Sequence, residues 1–252
     1  MRIDLNADLG EGYGAYTLGD DAALLDIVTS ANVACGFHAG DPAIMVATAR
    51  AAKARGVALG AHPGFDDLRG FGRRTIRAAP AEIEADIAYQ IGALQACAAL
   101  AGHRVTHVKA HGALANLSNA EDGVARAIAA AVRAVDPGLV VVVMPGLAAE
   151  RAAEALGLTV VREIYADRAY AEDGQLVPRN RPGAVITDAA AVAERTRRMV
   201  EDGALLTLSG RRIPVAIDTV CVHGDDPHAV ATAQAVRGVL QAAGVTLAPF
   251  VS

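Results

Sequence analysis

Four histidines stand where apolar, strand-like runs end beside glycines. They are His38 in ANVACGFHAGDP, His62 in GVALGAHPG, His111 in VTHVKAHG and His223 in IDTVCVHGDDP. Imidazole titrates near neutral pH and binds metal ions, so these side chains suit acid–base or metal chemistry. Because they recur at the same point of a strand–turn–helix unit, we expect the ends of several strands to converge on one site.

Polar side chains alternate in the first apolar segment, DLNADLGEG. Asp4, Asn6 and Asp8 are two residues apart, so a β-strand places all three on one face. Inside a barrel such a face is a costly polar cluster unless it binds something. We therefore expect Asp4, Asn6 and Asp8 to form a polar binding face. The alternative is that Asp4 and Asn6 only hydrogen-bond a neighbouring loop.

A lysine and a histidine share one face of another predicted strand. In VKAHG, Lys109 and His111 are two residues apart and point to the same side. A lysine beside histidines holds a carboxylate or a phosphate, or acts as a general base if burial lowers its pKa. We expect Lys109, His111 and His62 to form the floor of a pocket in one of these roles.

Two of the histidines also precede predicted helices. His38 and His223 each stand four residues before a proline, in HAGDP and HGDDP. The free N–H groups of a helix N-terminus favour an anion. We predict anion contacts for both histidines. The alternative is that each ring only packs against its turn.

Charged residues follow the sixth predicted strand. Glu163, Asp167 and Arg168 form the pattern E-x-x-x-D-R. An acid beside an arginine positions a polar substrate, and a plain ion pair is the alternative. We expect all three side chains to lie at the same end of the sheet as the histidines.

Two long segments do not fit as simple connections. Residues 63–79 follow the third strand and are rich in Gly and Arg, and residues 165–185 follow the sixth. Long loops in compact folds are usually lids or binding loops. We therefore expect both loops to border the site, with Arg73 and Arg74 on the first.

Seven strand-like runs alternate with Ala-rich helical stretches, which predicts one α/β domain over residues 1–252. The strands are predicted at residues 3–9, 31–37, 57–62, 105–109, 139–144, 159–164 and 214–222. The helices are predicted near 20–29, 42–55, 80–101, 119–135, 147–156, 188–202 and 227–243. The alternation fits a closed barrel or a doubly wound sheet, and both place active sites at the carboxyl ends of strands.

Capping residues mark the ends of these helices. Asp41 and Asp226 each precede a proline at the first helical position. Ser118 and Glu121 fit a capping box. Glycines follow five of the helices, as left-handed C-terminal turns require: Gly56, Gly102, Gly157, Gly203 and Gly244.

Composition limits the class of protein. Hydrophobic residues make up 53% of the 252 residues, aromatic residues only 4%, and Trp is absent, which suits parallel strands packed with Val, Leu, Ile and Ala. A net charge of −5 argues against a nucleic-acid partner. No apolar run approaches the ~20 residues that cross a bilayer. Three cysteines cannot all pair and no signal core is present, so we expect a reduced, cytoplasmic protein.

Six motifs in a fixed order resemble one protein family. They are DLNADLGEGYG, SANVACGFHAGDP, AHPGFDDLRGFGRR, VKAHGAL, ADRAY…DGQLVPR and CVHGDDP, and they extend over nearly the whole chain. Together they are similar to the LamB/YcsF family. Because the motifs are long and their order is specific, chance is a poor explanation.

This resemblance implies a fold, an activity and partners. The implied fold is a seven-stranded parallel (β/α) barrel of the glycoside hydrolase/deacetylase type. The implied activity is that of the A subunit of an ATP-dependent 5-oxoprolinase, which hydrolyses the lactam of 5-oxo-L-proline to L-glutamate. ATP and Mg²⁺ are then the expected cofactors, and the B and C subunits of 5-oxoprolinase are the expected partners.

Three alanines depart from the family's usual pattern. Ala7 stands where members usually have Cys or Ser, which rules out a catalytic thiol there. Ala110 and Ala115 replace the Pro and the Tyr of K-P-H-G-A-L-Y-N. Loss of the tyrosine enlarges the pocket or removes a hydrogen bond, so we expect it to affect the choice of substrate.

The implied reaction gives each polar group a role. ATP phosphorylates the lactam oxygen, water attacks the activated carbon, and positive groups near the developing charge help most. Asp8 or Asp167 serves as general base, and arginines grip the substrate carboxylate. The predicted catalytic residues are Asp8, His38, His62, Lys109, His111, Asp167 and His223. The predicted substrate-binding residues are Asn6, Arg73, Arg74, Glu163 and Arg168.

Two other functions fit the same residues. One is a metal-dependent amidase or deacetylase-like hydrolase, in which Asp8 and two of the histidines bind a divalent ion. The other is a non-catalytic subunit that binds a lactam and delivers it to partner subunits. Metal analysis and binding measurements discriminate between these functions.

Overall fold

Seven parallel strands close into a barrel in the computed structural model, which describes residues 1–225 and 228–251. The strands in these residues are β1 (Arg2–Leu9), β2 (Ser30–Ala34), β3 (Ala58–His62), β4 (Val105–Lys109), β5 (Val140–Val143), β6 (Val160–Tyr165), β7 (Ala204–Leu206), β8 (Arg212–Pro214), β9 (Thr219–Val222) and β10 (Thr246–Leu247). The barrel order is β1-β2-β3-β4-β5-β6-β9, and β9 pairs again with β1. The predicted seven-stranded parallel (β/α) barrel is therefore confirmed.

The first strand closes the barrel because it pairs on both sides. Asn6 is in register with Ser30 of β2, and Asp4 is in register with Thr219 of β9. All seven barrel strands are parallel to their neighbours. Their carboxyl ends therefore meet at one mouth of the barrel, where active sites of such folds lie.

Helices surround the barrel and connect its strands. Those in the described residues are α1 (Asp21–Leu25), α2 (Pro42–Arg55), α3 (Pro80–Leu100), α4 (Gly112–Ala120), α5 (Asp122–Val135), α6 (Ala148–Ala155), α7 (Ala189–Asp202) and α8 (Ala229–Ala242). Asp41 starts α2 by accepting hydrogen bonds from two backbone amides, and Gly56 ends it with a φ of 69°, as predicted. The predicted cap at Asp226 lies outside the described residues. No helix in the described part of the chain is long and apolar enough to cross a membrane.

The helix predicted at 119–135 is wrong at its start. The chain forms two helices there, α4 and α5, which meet at Glu121 in an extended backbone conformation. Ser118 lies inside α4, where its hydroxyl donates to the carbonyl of Ala115 at 2.8 Å. The capping box predicted for Ser118 and Glu121 therefore does not form, because the serine satisfies a carbonyl of its own helix instead.

The strand predicted at 214–222 is divided in two. Pro214 belongs to β8, which pairs antiparallel with β7 in a separate hairpin. Only Thr219–Val222 joins the barrel. A turn at Gly210, with a φ of 85°, allows the hairpin, and the sequence pattern did not predict it.

The two faces of the barrel strands have opposite character. Leu5 and Leu9 of β1 belong to the main hydrophobic core, together with apolar side chains of the helices. The alternate residues of β1, Asp4, Asn6 and Asp8, are almost fully buried inside the barrel. The interior is therefore polar along β1, and this polar face leads to the mouth of the barrel.

Candidate active site

Hydroxyl groups satisfy the deepest acid of the barrel interior. Asp4 accepts hydrogen bonds from Thr29 and Ser30, each at 2.6 Å, and from Thr219. Burial raises the pKa of Asp4 to about 6, although these hydroxyls oppose the shift. Asp4 therefore joins β1, β2 and β9 below the strand ends.

Asn6 forms the next layer above Asp4. It donates to Oε1 of Glu163 at 3.0 Å and to Oγ1 of Thr219 at 2.7 Å, and it accepts from Asn32 at 2.7 Å. Both of its side-chain N–H groups are thus used inside the barrel. Asn6, predicted to bind substrate, instead holds Glu163 in place from below.

Lys109 and Asp8 form a buried ion pair at the strand ends. Nζ of Lys109 is 2.8 Å from Oδ1 of Asp8 and 3.0 Å from Oε1 of Glu163, and it donates to the sulfur of Cys221 at 2.9 Å. Burial alone lowers the pKa of Lys109, but Asp8, Cys221 and Glu163 raise it well above its ordinary value. Burial raises the pKa of Asp8, but His62 and Lys109 hold it well below its usual range. Both groups are therefore charged, which favours Lys109 as a fixed cation over Lys109 as a general base.

Three histidine rings and one carboxyl group form a second buried group, here called the histidine–Glu11 cluster (Glu11, His38, His62 and His111). Nδ1 of His111 is 3.0 Å from Nε2 of His62, and the His38 ring stacks on His111 with 3.7 Å between centroids. Oε1 of Glu11 is 3.7 Å from Nε2 of His38 and 3.8 Å from Nδ1 of His111. Burial lowers the pKa of His38 and of His111 well below the ordinary value. Three imidazoles and one carboxylate are a donor set that binds Zn²⁺ and its neighbours in the first transition row.

The loop after β3 covers this cluster. A Cβ at Gly72 would lie 2.8 Å from Cδ2 of His111 and 2.8 Å from Cβ of His38, and the glycine has a φ of 61°. The carbonyl of Phe71 accepts a hydrogen bond from Nε2 of His111 at 2.8 Å. The loop predicted at 63–79 therefore closes over the histidines and requires a glycine where it touches them.

Glu11 reaches the cluster because the chain turns at the end of β1. Gly10 has a φ of 66°, and a Cβ there would lie 2.9 Å from Val33. Sequence reasoning missed Glu11 because the alternation of β1 stops at Asp8. The two glycines that flank Glu11 in GEG are the pattern that marks the turn.

His223 and Asp167 form a hydrogen-bonded pair beside the ion pair. Nδ1 of His223 is 2.9 Å from both carboxylate oxygens of Asp167, and the ring stacks on Tyr165 with 5.3 Å between centroids. Burial raises the pKa of Asp167, but the charge and hydrogen bond of His223 together with the charge of Arg179 lower it, and the net shift is downward. A carboxylate that orients an imidazole is the usual arrangement for proton transfer.

These groups open into a cavity of about 520 Å³ at the strand ends. Asp8, His62, His111 and His223 line it from the barrel. Both predicted loops border it, through Arg73 of loop 63–79 and through residues 175–180 of the second loop. The volume is typical of small-molecule sites, which span about 300–1,000 Å³.

Three arginines line the cavity on the loop side: Arg73, Arg168 and Arg179. Arg168 donates to the carbonyl of Val177 at 2.8 Å and so holds the second loop. Burial and the nearby Arg179 lower the pKa of Arg168 to about 10. Burial and Arg73 lower the pKa of Arg179 in the same way. Guanidinium groups that crowd one another in this manner favour a bound anion such as a carboxylate or a phosphate.

Two of the departures from the family pattern also border the cavity. Ala110 and Ala115 both line it. A larger side chain at position 115 would occupy part of the space. Ala7 lies on the opposite face of β1, buried in the hydrophobic core.

The structure brings most of the predicted site residues together. Those that line the cavity are Asp8, His62, His111, His223, Arg73 and Arg168. Those that contact this lining from behind are Lys109, His38 and Asp167, with Glu163 bound to Lys109. His38 stacks in the histidine–Glu11 cluster and does not share the position of His223.

Arg74 stays outside the cavity. Its side chain is exposed and forms an ion pair with Asp67 of the same loop. Asp67 also caps the short 3₁₀ turn Leu68–Gly70, so the turn holds the guanidinium away from the barrel. The prediction that Arg74 binds substrate is therefore corrected, because the loop directs Arg73 and not Arg74 toward the cavity.

Sequence reasoning also missed Arg179 and Asn32. Arg179 lies in the irregular segment VPRNRPG, where no periodicity points to a face. Asn32 is in register with Asp8 and donates to Oδ1 of Asp8 at 3.0 Å. Its alternation with Ser30 along β2 is the pattern that could have found it.

Comparison with known proteins finds one family and several close relatives. The sequence model of the LamB/YcsF family matches residues 3–252. The A subunit of 5-oxoprolinase from Rhodopseudomonas palustris (strain BisB5) is 58% identical over 251 residues, which cover 99% of each chain. The A subunit of 5-oxoprolinase from Gluconobacter oxydans (strain 621H) is 55% identical over 245 residues, which cover 97% of this chain and 96% of the relative.

Solved structures extend the comparison. The Lactam Utilization Protein from Thermus thermophilus superposes with a TM-score of 0.93 at 49% identity, covering 99% of this chain and 100% of that one. A putative cellobiose-phosphate cleavage protein from Enterococcus faecalis V583 has a TM-score of 0.58 at 11% identity, with coverage of 98% and 96%, and shares the fold alone. On the family match and on relatives of such high identity, the chain belongs to the LamB/YcsF family.

Proposed function

We propose that this chain is the A subunit of an ATP-dependent 5-oxoprolinase, which hydrolyses the lactam of 5-oxo-L-proline to L-glutamate. The names of relatives at 58% identity support this choice of substrate. The observation that carries the proposal is the cavity at the strand ends, which joins the charged pair Asp8–Lys109 to a wall of arginines. Such a cavity suits a small polar molecule with a carboxylate.

The reaction is demanding because a five-membered lactam is a stable amide. In the proposed sequence the lactam oxygen attacks the terminal phosphorus of ATP and ADP leaves. Water adds to the activated carbon, the ring C–N bond breaks, and the nitrogen gains a proton to become the amino group of glutamate. A second water then releases phosphate from the new carboxyl group. Fixed charges around the reacting oxygen supply most of the stabilisation in such reactions.

His223 is the proposed proton carrier. Its Nδ1 is bonded to Asp167, so in the neutral ring Nε2 is free to accept a proton from water. His223 lines the cavity, which gives it access to substrate. Asp8 is held as a carboxylate by Lys109 and His62, so its role is to orient water or the ring N–H.

Arg179 and Arg73 are the proposed partners of the substrate carboxylate. Both line the cavity, and Arg73 also pairs with Asp225 at 2.6 Å. Arg168 already donates a hydrogen bond to the backbone of the second loop. We therefore assign carboxylate binding to Arg179 first, because no hydrogen bond of its guanidinium is found within the described residues.

ATP, Mg²⁺ and the B and C subunits are part of the proposal. The relatives are named as A subunits, which supports an assembly of several chains. The test is to purify the chain with and without these partners and to measure glutamate formed from 5-oxoproline. The expected result is ATP-dependent glutamate release by the complex and none by the partners alone. Tight binding of 5-oxoproline by this chain together with full turnover by the partners alone would favour a subunit that only delivers the lactam.

A second candidate is hydrolysis of an amide by a metal ion without ATP. The histidine–Glu11 cluster is the observation that favours it. Glutamate release at the same rate with and without ATP, abolished by a chelator, would support this candidate over the first.

A further inference from the structure

The hydrogen bonds of His62 and His111 to backbone carbonyls determine which ring nitrogen of each carries the hydrogen. Nδ1 of His62 is 2.8 Å from the carbonyl of Lys109, and Nε2 of His111 is 2.8 Å from the carbonyl of Phe71. A carbonyl only accepts, so each of these outer nitrogens carries the hydrogen. In neutral rings the inner nitrogens, Nε2 of His62 and Nδ1 of His111, then present lone pairs to each other at 3.0 Å. A cation between them removes the conflict.

His38 adds a third lone pair to the same place. Its side chain is fully buried, yet neither ring nitrogen has a hydrogen-bond partner, and these are the two such atoms found among the described side chains. A buried polar atom without a partner costs about 1–3 kcal/mol. Nε2 of His38 lies 3.7 Å from Oε1 of Glu11, so the ring faces the cluster. An ion bound there would satisfy it.

The buried carboxyl groups around the cluster also favour a bound cation. Asp8, Glu11 and Glu163 are all buried close together, and Lys109 is the ammonium among them. Lys109 contacts Asp8 and Glu163 directly. Glu11 instead faces the histidines, at 3.7 Å and more. Buried acids are normally paired or bind metals, and the histidines offer Glu11 a shared metal.

We propose that Glu11, His38, His62 and His111 bind one divalent transition-metal ion, with Zn²⁺ the best match. Their ligand atoms all lie within 4.8 Å of one another. Ligands about 2.1 Å from a tetrahedral ion stand about 3.4 Å apart, and three of the six separations, at 3.0, 3.7 and 3.8 Å, bracket that value. The carbonyls on His62 and His111 are the outer contacts that orient metal-binding imidazoles.

The donor set does not suit Mg²⁺, the ion expected with ATP. Mg²⁺ prefers oxygen ligands and retains water, whereas three imidazoles suit Zn²⁺, Fe²⁺ or Co²⁺. The proposed ion borders the cavity, because His62 and His111 line it and Oδ2 of Asp8 lies 3.3 Å from Nε2 of His62. An amide or carboxylate oxygen in the cavity is therefore the class of ligand that would meet it. The site holds whether or not the reaction uses ATP.

The first test is metal content. The full chain is produced in medium supplemented with Zn²⁺, purified, and analysed by inductively coupled plasma mass spectrometry. We expect about one zinc ion per chain. His38→Gln and His111→Gln should lose most of it. His107→Gln is the matched control, because His107 is equally buried in the barrel but bonds to Asn32 and Thr106 outside the cluster. Zinc retained equally by all three variants would overturn the proposal.

The second test uses the wild-type chain, so it does not depend on whether a variant folds. Wild-type chain is stripped with a chelator and titrated with Co²⁺, whose visible absorption reports nitrogen-rich coordination. We expect bands that saturate at about one equivalent and disappear when Zn²⁺ is added. Absence of zinc in the purified chain together with absence of cobalt bands would overturn the site. That outcome leaves the test of 5-oxoproline cleavage untouched, because glutamate release is measured separately.

Discussion

Lys109 and Asp8 each determine the charge of the other. Neither side chain is more than a few per cent exposed, and the ammonium also touches Glu163 and Cys221. Such a pair is costly to bury and is stable only as a pair. It places a fixed dipole at the bottom of the cavity, which requires no reorganisation when charge develops on a substrate.

Lys109→Met should therefore destabilise the protein strongly. It leaves the Asp8 carboxylate buried without its ammonium, which typically costs about 3–5 kcal/mol in the free energy of unfolding. Urea denaturation measures the change. The double variant Asp8→Asn/Lys109→Met should recover part of the loss, because the charge of Asp8 is gone, although Glu163 still lacks the ammonium that contacts it. A single variant as stable as wild type would contradict the pairing.

Arg179 lines the cavity and Arg74 does not, so substitution of these two arginines should affect the KM for 5-oxoproline differently. Arg179→Gln should raise KM for 5-oxoproline about 10- to 100-fold, since a charge-assisted hydrogen bond contributes about 1.5–3 kcal/mol. Arg74→Gln is the control, because Arg74 is exposed and pairs with Asp67. It should leave KM unchanged. Equal effects of the two substitutions would remove Arg179 from the substrate site.

Alternation along β1 was enough to predict that Asp4, Asn6 and Asp8 share a face. The alternation could not show which of the three side chains has its hydrogen bonds satisfied inside the barrel, because those bonds come from neighbouring strands. Neighbouring arginines in a loop could not be separated either. Arg73 and Arg74 differ only in the path of the backbone, which depends on the turn at Asp67.

Among the elements, the loop 63–79 joins the histidine–Glu11 cluster to the cavity. It contacts His38 and His111 at Gly72 and brings Arg73 to the cavity. Its length predicted a binding role. Its contact with the histidines was not predictable, because it depends on the left-handed glycine at a single position.

Gly72→Ala should impair catalysis more than folding. The new Cβ would meet His111 and His38 at 2.8 Å and displace the loop or the rings. A shift of this kind lowers kcat/KM by roughly 100-fold. Gly210→Ala is the matched control: its φ of 85° imposes similar backbone strain, but open space surrounds the new Cβ. Both variants carry the strain of an alanine at positive φ, so the additional loss of activity in Gly72→Ala reports the contact with the rings, and equal activity in both would refute it.

Strand positions followed from the sequence because short runs rich in apolar residues alternate with longer Ala-rich helical stretches. The boundary between α4 and α5 did not follow, because Ser118 fits the start of a helix as well as the inside of one. The hairpin of β7 and β8 was missed because its strands are only three residues long. Such short pairs depend on contacts with the rest of the fold.

At the scale of the whole molecule, the polar interior links stability to pH. His107 is fully buried, and burial followed by the charge of Lys109 lowers its pKa to about 3. In the unfolded chain the ordinary value of 6.5 applies. Between these values the unfolded state binds the extra proton, so the free energy of unfolding falls as the pH is lowered.

His107→Gln should flatten this dependence. The slope that His107 contributes between pH 6.5 and pH 3 is at most about 1.4 kcal/mol per pH unit. Urea denaturation of wild type and variant at about pH 7, 6, 5 and 4 measures the difference. The variant should lose less stability than wild type on acidification. Parallel curves would show that His107 is not held neutral in the fold.

Cleavage of the lactam in the cavity of this chain is tested most directly by glutamate release from 5-oxoproline. The chain is assembled with its partners and supplied with ATP. Asp8→Asn should lower the rate by about 100-fold or more while the complex still assembles. Asp26→Asn, at an exposed ion pair with Arg55, should leave it unchanged. An Asp8→Asn complex that releases glutamate at the wild-type rate would contradict a catalytic role for this cavity.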